Sequence, residues 1–149
     1  MIGLEDDLAL VANVDIQVHD GGRLVRRIRR HNLITDVGLN TVRNALLGSG
    51  NQPCPTQMAV GTGTTAPAAG DTALVAEVYR ALISLRTPTD KQATFQHFIN
   101  GLSCNGLDIT EAGLLTAAGD MLARVVFPAI AKSSTLTVTL NWSFTIGRG

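Results

Sequence analysis

The sequence predicts a mainly β protein, an antiparallel β-sandwich of about eight strands with one α-helix at about residues 36–47. Three observations carry that expectation. Leu136 to Ile146 alternates apolar with polar residues without a break, and Leu8 to Val18 keeps an apolar residue at every second position, the period of a strand covered on one face. Turn-forming groups rich in Gly, Asn and Asp interrupt the chain at short intervals. Only the stretch after Leu33 changes to a helical period. So many one-faced strands need a second layer to cover them.

The 149 residues suit one domain with a genuine core, and 45 % of them are apolar. Charged residues make up only 16 % and the net charge is zero. An isolated soluble domain usually carries about 25 % charge, so much of this surface is expected to lie against copies of the chain or other proteins. The opening MIGLEDD is acidic where a secretory signal would be basic, and no apolar run nears the roughly 18 residues that span a bilayer. Synthesis in the cytoplasm and no membrane partner follow as expectations. Cys54 and Cys104 fit no zinc or redox spacing and read as structural or free thiols.

In chain order, Leu8, Leu10, Ala12, Val14, Ile16 and Val18 share one face of the first strand, while Asn13, Asp15, Gln17 and His19 share the other. The tail before Leu8 reads as peripheral. Asp20, Gly21 and Gly22 supply a hairpin turn. The return strand holds Arg23, Arg26, Arg27, Arg29 and Arg30, five of the twelve basic residues. Such a cluster can meet phosphates, pair with Asp15 and Asp20 on the same hairpin, or meet a neighbouring subunit. Without interleaved aromatic residues or a basic overall balance, nucleic acid is disfavoured and an inter-subunit or partner contact is preferred.

Thr35 is a helix N-cap, Asp36 suits the dipole, and Ile34 and Leu39 form a hydrophobic staple. Leu39, Val42 and Leu46 are expected to be the buried stripe, Arg43 lies outside it, and Gly48 closes the helix. An irregular loop follows.

The segment Met58 to Leu74, MAVGTGTTAPAAGDTAL, first suggests a nucleotide loop, because Gly61, Gly63 and Ala66 fit G-x-G-x-x-A after a strand. Pro67 biases Ala66 away from helical dihedrals. Glu77 and Asp90 are not at the distance a ribose-binding acid requires, and no lysine follows the glycines. No cofactor is expected. The segment reads instead as a strand, a turn built on Gly61 and Gly63, and a surface loop containing Pro67 and ended by Asp71. Asp71 would cap a short helical turn over Thr72 to Ala76.

Downstream, Val78 to Thr87 is expected to be one strand stopped by Pro88, paired through Thr89 to Lys91 with Ala93 to Ile99. Phe95 and Phe98 cannot share a face of a regular strand, and a bulge between them would reconcile them. Asn100-Gly101 and Asn105-Gly106 mark turns. LDITEAGLLTAAGDMLARVVFP reads as two strands joined by Ala117 to Asp120. Within it, Glu111 sits among apolar neighbours. It has no second carboxylate or His at a catalytic spacing, so a buried ion pair with Arg124 or Arg80 is the preferred role. His19, His31 and His97 have no ligand-like spacing, and G-x-S-x-G is absent. Neither a metal site nor a catalytic site is assigned. The last strand alternates from Leu136 to Ile146 and is expected to line the core along its length.

Several of these segments resemble a family of small virion proteins of tailed bacteriophages, of the tail-fibre or baseplate type. They are HNLITDVGLN at 31–40, AVGTGTTAPAAGDTAL at 59–74, Arg80, the Glu111-Ala112-Gly113-Leu114 element with Leu115 in place of an aromatic residue, Ala123-Arg124 with Phe127, and TLTVTLNWSF. The resemblance spans about Asn32 to Ile146. It implies a non-enzymatic structural protein of the virion, made in the host cytoplasm and assembled in the tail, baseplate or an attached fibre. Its partners would be its own copies, with a trimer as one arrangement, and other virion proteins. A capsid decoration protein and a receptor- or carbohydrate-binding fibre module, with a host receptor as partner, are the alternatives. Residues 1–149 are expected to form one domain, with 1–31 a strand and basic hairpin suited to attachment and 32–149 the family-like sandwich core.

Overall fold

The longest pairing in the molecule joins its two ends. In the computed structural model, which describes residues 7–149, β1 (Leu8–Asp20) runs antiparallel to β10 (Leu136–Arg148) from Leu8 opposite Arg148 to Asp20 opposite Leu136. The expectation for the tail before Leu8 falls mostly outside the described residues. β2 (Arg23–His31) returns along β1 through a turn in which Gly21 and Gly22 have φ of +57° and +84°, the left-handed region that glycine occupies without penalty.

The remaining strands complete two antiparallel five-stranded sheets, the expected sandwich. They are β3 (Leu33–Ile34), β4 (Pro55–Gly61), β5 (Glu77–Leu82), β6 (Leu85–Thr89), β7 (Gln92–Ile99), β8 (Asp108–Thr116) and β9 (Met121–Ala131). The first sheet has the order β2-β1-β10-β7-β6 and the second β3-β9-β8-β4-β5. Val14, Ile16, Val18, Val138, Leu140 and Trp142 cover the inner face of the first sheet, against Met58, Val60, Ile109, Leu114, Val125 and Phe127 of the second. Each such side chain contributes about 1.5–3 kcal/mol by leaving water. The β1–β2 hairpin is therefore part of the sandwich, since Val14, Ile16 and Val18 of β1 and Ile28 of β2 belong to this core.

Alternation outlasts the core at one end. Leu8 is 67 % exposed and Ile146 48 %, so the expectation that β10 lines the core along its whole length fails at its final turn. There Leu8 and Ile146 line a cavity beside the helix rather than closed core. In the middle of the first sheet, Phe95, His97 and Ile99 face inward while Phe98 is exposed. Parity alone separates Phe95 from Phe98, because β7 pairs with β10 in unbroken register and needs no bulge.

The described residues form ten strands rather than about eight for two reasons. β3 is only two residues long, and the stretch from Val78 to Thr87 is two strands rather than one. β5 belongs to the second sheet, β6 to the first, and the chain crosses between them at Ile83 and Ser84. Pro88 does not stop β6. It lies opposite Ala93 in an edge strand, where a missing N–H leaves no ladder bond unmade.

Helix α1 (Asp36–Leu47) has the predicted limits. Thr35 Oγ1 accepts from the Gly38 amide at 2.9 Å, and Gly48 closes the helix with φ of +67°. Its buried face differs from expectation. Gly38 and Thr41 are buried, whereas Leu39 is 51 % and Leu46 81 % exposed. The cause is a backbone approach: a Cβ on Gly38 would lie 2.4 Å from the Leu122 carbonyl oxygen, while Thr35 Oγ1 donates to the Met121 carbonyl at 2.5 Å. The helix is thus seated on β9 by its smallest residues, and its leucines are turned away.

Gly38→Ala should therefore destabilise the fold by about 1–3 kcal/mol, the range for overpacking. Leu46→Ala should change stability by less than about 0.5 kcal/mol. Urea unfolding of the two variants checks the seating directly, and a larger loss from Leu46→Ala would contradict it.

Candidate functional site

The polar centre of the molecule is built on Glu111, in the middle of β8 and fully buried. Alternation on this strand is suspended, since Ile109 to Thr116 are all buried between the sheets, the helix side and the loop above. The Glu111 carboxylate is fully engaged. Oε1 accepts from the Ala76 amide at 2.8 Å and the Gly63 amide at 3.1 Å. Oε2 accepts from the Val75 amide at 3.1 Å and from Arg124 Nη2 and Nε at 2.9 and 3.2 Å.

Arg124, from the neighbouring β9, is equally buried and reaches further. Its Nη1 donates to Asp71 Oδ2 at 2.9 Å and its Nη2 to the Thr65 carbonyl at 2.8 Å. Asp71 Oδ2 also accepts from the Ala68 amide at 2.9 Å. Thr110 Oγ1 donates to the Gly63 carbonyl at 2.6 Å. The segment between β4 and β5, residues 62–76, contains no helix or strand. Side chains of β8 and β9 take over the hydrogen bonds that secondary structure would otherwise provide. Asp71 does not cap a helical turn over Thr72 to Ala76; its carboxylate is drawn to Arg124 instead.

Gly61 and Gly63 serve this clamp through their lack of a side chain. Neither has a positive φ, so the turn chemistry expected of them is not their reason for being glycine. A Cβ at Gly61 would lie 2.4 Å from the Ala76 carbonyl oxygen and 2.5 Å from Glu111 Oε1. At Gly63 it would lie 2.5 Å from Val75 Cβ and 2.6 Å from Glu111 Oε1. Pro67 sits half-buried in the same loop.

Burial opposes the charged form of Glu111. The Ala76 and Val75 amides, the Arg124 guanidinium and the Gly63 amide outweigh it and hold the carboxyl below its ordinary value of 4.5. With all its lone pairs directed at protein donors, the group serves as an anchor. Of the two arginines that the sequence offers to Glu111, Arg80 is elsewhere, half-exposed and paired with Glu77 at 2.8 Å. It projects from β5 on the edge of the sheet, whereas Arg124 is next to Glu111 across the β8–β9 pair. Among the described residues, no three His, Cys, Asp or Glu side chains group to hold a metal ion.

A second polar constellation is one that sequence reading passed over. The Tyr79 hydroxyl, on the second sheet, lies 2.8 Å from His97 Nε2 on the first, and His97 Nδ1 lies 3.0 Å from the Leu82 carbonyl. A carbonyl only accepts, so Nδ1 carries the proton and Nε2 accepts from the tyrosine. Burial pushes the His97 pKa below 6.5, against the opposing pull of the Leu82 carbonyl. The pair ties the sheets together where the chain crosses from β5 to β6. The available signal was parity, since His97 falls between Phe95 and Ile99 on one face.

The five arginines of β2 occupy the free edge of the first sheet. Arg27 grips both oxygens of Asp15, and Arg29 stands 3.6 Å from it. The Arg27 guanidinium holds the Asp15 carboxyl below its usual range, with burial opposing and Arg29 assisting. Arg26 points the other way and donates to the Ala129 carbonyl at 2.7 Å. Arg23 and Arg30 form no ion pair with the described residues. At the opposite end of β1, Leu8, Leu10, Phe144 and Ile146 join Val42 and Leu122 around an apolar cavity of about 270 Å³ under the helix. Cys54 is exposed and Cys104 half-buried, and both thiols are free.

The family model described as phage tail-collar fibre protein, N-terminal, matches residues 30–146. The chain belongs to the phage tail-collar fibre family. No curated protein matches it, and no solved structure does. Membership makes the protein a structural component of a phage tail, and hence of the virion, in association with other virion proteins. The clamp residues Gly61, Gly63, Asp71, Glu111 and Arg124 all lie inside the matched region. Arg23, Arg26, Arg27 and Arg29 precede it, and Arg30 is its first residue. No helix of the described residues is long and apolar enough to cross a membrane.

Two expectations follow from the buried polar groups. Glu111→Gln should lower stability at neutral pH by on the order of 3 kcal/mol, because Arg124 would stay buried with Asp71 as its only anion. The folded pKa of Glu111 is depressed, so its contribution is complete above about pH 4.5 and is lost as pH falls toward the folded value. The variant should lack that acid decline in a urea series taken across this range.

His97 has the same sign in a higher window. Its folded pKa is also depressed, so its contribution is complete above about pH 6.5 and falls away as the solution is acidified from there. Replacing it by Gln should flatten the stability profile just below pH 6.5 and leave the Glu111 window intact. Thermal unfolding measured at closely spaced pH values separates the two.

Proposed function

We propose that the protein is a non-enzymatic structural component of a tailed-phage tail, assembling in the tail, baseplate or an attached fibre through symmetric contacts with its own copies and contacts with other virion proteins. The family match over residues 30–146 carries this reading. The site geometry agrees with it: the buried carboxylate that resembles a catalytic acid in sequence has every lone pair directed at protein donors. A chain with only 16 % charged residues and exposed leucines at 39, 46, 47 and 102 has the kind of surface that neighbouring proteins cover. The β2 arginines supply a charged contact beside these apolar ones.

A receptor- or sugar-binding fibre module is less well supported. Sugar recognition uses exposed aromatic faces, and here Trp142 is fully buried, the hydroxyl of the half-buried Tyr79 is bonded to His97, and Phe98 alone among the aromatic side chains of the described residues is exposed. A capsid decoration role has no support from the family match.

Purified protein should sediment as a symmetric oligomer and should co-sediment with tails or baseplates from phage that lack it. Phage carrying a disrupted copy of its gene should yield tails missing a defined density at the collar, baseplate or fibre. A protein that stays monomeric and ignores tail particles would overturn the reading.

A further inference from the structure

Four strands stand at the edges of the two sheets: β2, β3, β5 and β6. An edge strand presents a row of backbone N–H and C=O groups with no partner, which invites pairing with another chain unless something prevents it. β3 has two residues, β6 carries Pro88, and β5 has six residues before the chain leaves the sheet. β2 has nine residues and no proline, and is the longest of the four. Its protection is electrostatic. Two copies of β2 laid antiparallel would set arginine against arginine, and like charges in cross-strand positions destabilise the pair.

The same charges favour an acidic strand. The β1–β2 hairpin has five arginines against Asp15 and Asp20, although the whole chain is neutral. Asp15 serves only Arg27 and Arg29; Arg23 and Arg30 form no ion pair with the described residues. The sequence Arg26-Arg27-Ile28-Arg29-Arg30 reads the same in both directions and, by strand parity, sends one arginine of each adjacent pair to either face of the sheet. A nucleic-acid duplex lies along one face and would meet only half of them. An added strand with acids on both faces reaches both sets: Arg30 and Arg26 on one side, where Arg26 also donates to the Ala129 carbonyl, and Arg27 and Arg29 on the other, where the two share the single charge of Asp15. Exposed Leu24 and Val25 extend the edge with apolar contact.

We propose that the free edge of β2 accepts an extended acidic segment of another virion protein as an added strand, in the pattern acid-acid-aliphatic-acid-acid. This rests on the tail reading only for the identity of the partner. Backbone hydrogen bonds supply the docking and the arginines select the sequence, the division of labour known for strand addition.

The test uses the full chain and the capped peptide TEEVEET. Titration followed by NMR should show saturable binding that weakens with salt, with amide exchange slowed at alternate residues of β2. The Arg30→Glu variant should bind on the order of fivefold more weakly with an unchanged melting temperature, whereas Arg23→Glu, beyond the reach of a seven-residue strand centred on Ile28, should change binding less. The same peptide N-methylated at alternate residues keeps its charge but loses its donors on one edge, and should lose at least as much. Equal binding of the methylated peptide, protection of the same amides by duplex DNA at lower concentration, or no binding of TEEVEET would each overturn the proposal. No virion particle enters this titration. A protein that joins tails and ignores the peptide refutes strand addition alone, and one that binds the peptide but no tail refutes the tail reading alone.

Discussion

The fold depends on one buried ion pair, Glu111 with Arg124. Two full charges have been taken out of water there, at a desolvation cost that their mutual attraction alone does not reliably offset. Three backbone amides, a backbone carbonyl and a second carboxylate complete the shell, so that every guanidinium nitrogen and both carboxylate oxygens of the pair have a partner. The pair also organises what surrounds it. A fifteen-residue connection without secondary structure would ordinarily be a source of entropy at the sandwich rim; here its two halves are drawn onto one carboxylate. Gly61 and Gly63 follow from that requirement, because a side chain at either place would occupy the space of the carboxylate or its loop.

Elements whose residues obey one period were legible in the sequence. β1, β10, the β1–β2 turn, the break at Ala117 to Asp120 and the limits of α1 all follow from alternation, glycine placement or capping, which are local properties. The inward side of α1 was not legible, since helical periodicity selects the largest apolar stripe and the structure selects the face that allows closest approach. The division of Val78 to Thr87 between two sheets was also hidden, as β-branched and aliphatic residues read the same in either layer. Arg124 and Arg80 were equivalent candidates for Glu111 in sequence. Strand neighbourhood decides between them, and neighbourhood is a property of topology. His97 shows the opposite failure: its parity was readable, but its partner Tyr79 lies across the sandwich.

The family resemblance and the physical domain have different limits. The match begins at residue 30, yet β1 supplies a central strand of the first sheet and part of the common core. A sandwich without it would leave β10 with an unpaired edge and the flank of Trp142, opposite Val14, uncovered. The hairpin therefore has two roles that the sequence could not separate: β1 is framework, and β2 is the edge that framework presents to its surroundings.

The pairing of β1 with β10 also sets how this module responds to mechanical load. The Gly149 amide donates to the Asp7 carbonyl at 2.7 Å, so the two described ends leave the sandwich side by side. Tension applied through both ends would part the β1–β10 ladder like a zipper, one pair after another, at low force. Tension between the β10 end and the far rim, where the β1–β2 turn lies, would load the whole ladder in shear. A tail part built on this sandwich resists pulling best when its neighbours hold it at opposite rims.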